Sequence, residues 1–162
     1  MITSAFDADV QAAAADAERL LFTNYRCWMA GYSTRDISCW EIAWNALAGT
    51  LGVDAARPLY GEFHCFVRTI LETARRDIGW RPTGCRCPCR DETLVLALVQ
   101  ASQRGQSDNE ATTARDLLGH DDCRALVASS RSLGRALAAL DLRLGLDHAE
   151  AAGASSRPRL LH

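Results

Sequence analysis

The chain has 162 residues, 48% of them apolar and 23% charged, with a formal net charge of −2. That length fits one domain whose core closes without disulfides or metal, and the composition excludes a disordered chain. So small a net charge supplies no global field for nucleic acid or an anionic membrane.

Met1 to Val10 carries Asp7 and Asp9 and no basic residue, unlike a secretory signal. From Asp7 to Ala30, Val10, Ala13, Ala14, Ala17, Leu20, Leu21, Tyr25 and Trp28 recur at spacings of three and four, which predicts a helix ended by Gly31. Ser33-Thr-Arg-Asp36 has the form of a capping box and opens a second helix to about Leu51. Ile37, Trp40, Trp44, Leu47 and Leu51 form its main face; Ala43, Ala46 and Gly49 form a second that a neighbour can approach closely. Two faces predict a central position.

Asp54 can cap a third helix, with Pro58 in or just beyond its first turn, where the missing amide hydrogen costs least. Its stripe runs from Leu59 through Phe63, Phe66, Val67 and Ile70 to about Asp77, and Gly79 and Pro82 stop it. Residues 79–90 show neither helical nor alternating pattern and form an irregular connection. Asp91 and Glu92 suit the positive end of a helix dipole, and Leu94 to Val99 is apolar on every side, so a buried central helix follows, ended by Gly105. Asp108 opens a short helix to about Leu118. Asp121 or Asp122 opens a long one through Cys123, Leu126, Val127, Leu133, Leu137, Leu140 and Leu144. With no repeat and no strand-like alternation, the fold class is all-α: a bundle of about six helices over residues 1–146, with a frayed tail at 147–162.

The longest apolar run, Leu94 to Ala101, is broken by Gln100 and far short of a membrane span. All 18 basic residues are arginine and alanine is abundant, which suggests a high-GC bacterial genome rather than a selected property. A cytoplasmic location is expected. Seven cysteines in a reducing compartment read as free thiols or metal thiolates rather than a disulfide framework.

Cys85, Cys87 and Cys89 place three thiols in five residues, and Pro88 biases Cys87 toward extended backbone, where alternate side chains share one side. Converging thiolates suit zinc or another soft metal. A structural zinc needs a fourth ligand, for which His64 and Cys65 are candidates because their helix leads into the loop. Paired Cys-x-x-Cys elements are absent, so free cysteines in a rigid loop carry equal weight.

A thiol near a helix start, with Arg81, Arg86 and Arg90 beside it, also allows redox or nucleophilic chemistry. That reading lacks a base and a redox pair. Arg75, Arg76, Arg81, Arg86 and Arg90 face only Asp77 between residues 73 and 90. An anion or acidic protein surface could sit there, or the charges are simply solvated. Cys27, Cys39 and Cys123 read as packing residues, and Trp80 as an anchor of the loop or a seal over the thiols. There is no Glu-x-x-His pair of the di-iron type.

The expected function is therefore a non-enzymatic helical protein whose loop holds zinc or another soft metal and acts in partner binding or regulation. The alternatives are a metal-free, oligomeric interaction protein using the Arg-rich loop, and a thiol-dependent redox enzyme or sensor. A protein partner or a second copy is expected, and neither nucleic acid nor membrane.

Overall fold

The apolar stripes become six α-helices in the computed structural model, which describes residues 3–145; the expected tail and its boundary at 146 lie outside the described residues. They are α1 (Thr3–Thr34), α2 (Ile37–Leu51), α3 (Val53–Thr73), α4 (Arg90–Arg104), α5 (Ser107–Leu118) and α6 (Arg124–Ala139), and no strand occurs among the described residues. α2 packs on α1 and α3, α3 on α6, and α4 on α5 and α6, while α1 crosses α3 and α4. The bundle closes on Leu21, Tyr25, Leu47, Leu59, Phe63, Phe66, Ile70, Leu98, Leu117, Leu118 and Leu126, all fully buried. Each such side chain contributes roughly 1.5–3 kcal/mol of transfer free energy, so the core drives the fold.

Expectations for four of the helices are corrected. Gly31 does not end α1, which continues to Thr34. The Trp40 indole lies directly over Gly31, so the glycine serves close helix approach rather than termination. Ser33 is consequently helical, and Asp36 alone caps α2, accepting from the Ser38 amide at 2.9 Å and the Ser38 hydroxyl at 2.7 Å.

α2 is peripheral rather than central. Only Ala43 and Leu47 are buried on it, while Ile37 and Ile42 are 65% and 52% exposed. Trp40 and Trp44 spread sideways onto Trp28 and Tyr60, at 5.5 Å between ring centroids in each pair, so one face suffices to dock the helix.

α3 begins at Gly52, whose φ of 81° makes the corner from α2, so Asp54 sits in the first turn instead of capping it. It stops at Thr73, short of Asp77, because its end is taken by the α5–α6 connection. His120 Nε2 donates to the Thr73 carbonyl at 2.6 Å, and the Arg75 amide donates to Leu118 O at 2.9 Å.

α6 ends at Ala139, earlier than the stripe through Leu144 implies. The chain turns at Asp141, φ 59°, and Gln103 holds the return: Nε2 donates to Leu142 O at 2.9 Å and Oε1 accepts from the Leu144 amide at 2.9 Å. Leu144 stays buried without being helical.

Gly31→Ala is expected to lower stability by about 1–3 kcal/mol in urea denaturation, since the methyl must displace the Trp40 ring. Gly49→Ala on exposed α2, where a Cβ meets nothing, is expected to raise it by about 0.4–1 kcal/mol.

Candidate functional site: a loop tied to two buried carboxylates

Between α3 and α4, residues 74–89 form neither helix nor strand, so their backbone groups need partners elsewhere. The first turn of α4 and two side chains of α1 supply several of them. Glu92 is fully buried and accepts the Cys89 amide at 2.8 Å, the Arg81 amide at 3.0 Å, Arg26 Nε at 2.6 Å and Arg26 Nη2 at 3.0 Å. The Arg26 side chain, 5% exposed, reaches from α1 and donates through Nη1 to the Cys85 carbonyl at 2.7 Å. Asp91 accepts the Gly79 amide at 2.6 Å and a bidentate Arg76 guanidinium at 2.5 and 3.1 Å. The Tyr25 hydroxyl donates to the Gly79 carbonyl at 3.2 Å. Gly79, Arg81, Cys85 and Cys89 are thereby held by their main chain, whatever their side chains do.

Burial alone would raise the Glu92 carboxyl, but the Arg26 guanidinium and the Cys89 and Arg81 amides outweigh it and hold it below its ordinary value. Asp91 is likewise buried yet lowered by Arg76 and the Gly79 amide. Both are anions at neutral pH, and Arg26 and Arg76 are pushed up chiefly by the same hydrogen bonds. Burial, with Asp91 adding to it, drives the Tyr25 hydroxyl upward, so it stays a neutral donor.

The structure does not bring the five candidate metal ligands together. Cys85 and Cys89 are half-buried, Cys87 is exposed, and all three are free thiols. Among the described residues no group of three or more His, Cys, Asp or Glu is placed to hold a metal ion. His64 belongs to an aromatic cluster instead: it stacks on Trp28 at 4.7 Å, and its Nε2 lies 2.7 Å from the Tyr32 hydroxyl. Cys65 is exposed on α3. The loop is drawn toward α1 and the start of α4, which leaves the middle of α3 out of the site.

Arg81, Arg86 and Arg90 all project into solvent, with Arg90 only loosely near Asp91 at 3.9 Å. Arg76 is withdrawn from the cationic patch by its pair with Asp91. Trp80 packs against the core as an anchor. Burial, with Cys39 close by, pushes the Cys27 thiol up to about 11, in keeping with a packing role.

A cleft of about 390 Å³ opens between α1 and the loop, lined by Phe22, Thr23 and Arg26 on one side and Thr83, Gly84, Cys85 and Arg86 on the other. A larger cavity of about 640 Å³ touches Val10 and Ala14 on α1 and Leu144 and Gly145, so it shares no residue with the loop.

Removing one member of a buried ion pair leaves the other charged and unsolvated. Arg26→Met is therefore expected to cost about 3–5 kcal/mol in urea denaturation, whereas Arg26→Met combined with Glu92→Gln costs less than the sum. Because both carboxyls are lowered in the folded state, their stabilisation is complete above their ordinary values of 4.5 and 3.8 and is lost as pH falls through the lower folded values. A pH series of denaturation midpoints is expected to decline below about pH 4.5, with a shallower decline in Glu92→Gln.

No family model, no curated protein and no solved structure matches the chain, so the tethered loop itself is the basis for assigning a role.

Proposed function

We propose that the protein is a non-enzymatic binding module that presents a pre-shaped, arginine-bearing loop to an acidic protein partner. The observation that carries this reading is a division of labour. The buried charges of Arg26, Asp91 and Glu92 are committed to the loop backbone, while Arg81, Arg86 and Arg90 are left in solvent. Burying ions is costly, and an apolar contact would anchor a connection of this length as well. What the ion network adds is a fixed shape, which lowers the ordering cost of binding. Exposed guanidinium groups recognise carboxylates in pairs of parallel hydrogen bonds, so a protein surface rich in Asp and Glu is the matching chemistry.

A second reading, zinc or another soft metal on Cys85, Cys87 and Cys89, is favoured by three free and accessible thiols so close in sequence. The tethers at the Cys85 carbonyl and the Cys89 amide oppose it, because gathering the thiols would have to move backbone that Arg26 and Glu92 hold. A partner surface needs no such movement and is the reading adopted.

A dye-labelled glutamate peptide is expected to bind the protein with an affinity that falls as salt is raised. Replacing Arg81, Arg86 and Arg90 together by Glu should weaken it by about tenfold or more, against no change for Arg124→Glu, which lies on α6. Equal binding by both variants overturns the assignment. For the metal reading, zinc retained after purification and released in Cys87→Ser would displace the partner surface as the first role.

A further inference from the structure

The geometry points to the cleft between α1 and the loop as the seat for one aromatic side chain of that acidic partner, with the loop arginines taking the carboxylates that flank it; this rests on the partner-binding reading above. The cleft holds about 390 Å³, near the lower end of the range for ligand sites, and so is sized for one large side chain rather than a folded element. Its α1 wall offers the half-buried Phe22 ring. The Arg26 guanidinium sits 5.6 Å from the centroid of that ring, and Arg26 is itself fixed by Glu92. Phe22 therefore has a neighbour that cannot swing away. A second ring packs favourably against such a surface, by offset or edge-on contact.

The facing wall is made by Thr83, Gly84, Cys85 and Arg86. The bond from Arg26 Nη1 to the Cys85 carbonyl joins the two walls, so the network that shapes the loop also ties the cleft together. Gly84 leaves that wall without a side chain, and a Cβ built there meets nothing within 4 Å. The charge is distributed unevenly. On α1, Arg19 is paired with Asp16 at 2.6 Å, whereas the loop side carries Arg86, with Arg81 on the same loop and Arg90 at the start of α4. A carboxylate is favoured at the loop rim and an uncharged ring between the walls. The partner motif is thus an aromatic residue within an acidic run.

The test compares two dye-labelled probes on the full chain: a short polyglutamate peptide with one central phenylalanine, and the same peptide with alanine in its place. The phenylalanine peptide is expected to bind about tenfold more tightly. Gly84→Leu, which adds a bulky side chain to the facing wall without backbone strain, and Phe22→Ala should each abolish that preference while leaving the salt-dependent binding of the alanine peptide intact. Circular dichroism and denaturation midpoints check that both variants fold. Two peptides that bind equally well overturn the aromatic seat and leave the cationic surface standing, as does a preference that survives Gly84→Leu. Failure of both peptides to bind overturns the partner-binding reading along with it.

Discussion

Everything specific to this molecule depends on one carboxylate placed where water cannot reach it. Glu92 stands fully buried in the first turn of α4, and it persists as an anion only because a guanidinium and two main-chain amides point at it. Its desolvation is a cost that no single hydrogen bond could offset. The surroundings are consequently all-or-none. Arg26 must come from α1, Arg81 and Cys89 must come from the loop, and α4 must start where it does, or the charge is stranded. Apolar contacts of Ile78 and Trp80 hold the α3–α4 connection to the core, and the buried anion fixes its main chain at Arg81 and Cys89.

Much of the fold was legible in the sequence, because apolar periodicity reports which face of a helix is buried, and six helices follow from six stripes. Most of the misplacements lie at helix ends. Gly31, Ser33 and Asp54 are residues whose local preferences mark helix ends, yet neighbours decided those ends: an indole over Gly31, Asp36 in place of Ser33 at the start of α2, and Gly52 in place of Asp54 at the start of α3, while His120 and Leu118 fix where α3 stops. α2 was misplaced because its small and apolar residues resemble a buried helix, and only the tertiary arrangement shows which neighbours exist.

The site was legible in outline and not in mechanism. The irregular stretch with its cysteines and arginines stands out in the sequence, but the residues that shape it do not. Asp91 and Glu92 look like ordinary acids at a helix start, a role they also fill. Arg26 left a faint signal, as the lone charge in the otherwise uncharged stretch from Leu20 to Ala30. A charge in such a setting asks for a buried partner, but sequence spacing cannot say which acid supplies it. The expected ligands His64 and Cys65 followed from nearness along the chain; the side chain of His64 went instead to an aromatic cluster with Trp28 and Tyr32.

The Arg26–Glu92 pair joins positions 66 residues apart. Such a contact closes one of the longer loops in the chain and is available only after α4 has been made and has docked beside α1. A nascent or partly opened chain can therefore have most of its helices and still lack the loop's shape. The shape of the loop thus depends on two segments 66 residues apart both being in place. If the proposed partner grips this loop, recognition and structural completeness are one event, without any separate element to report on the fold.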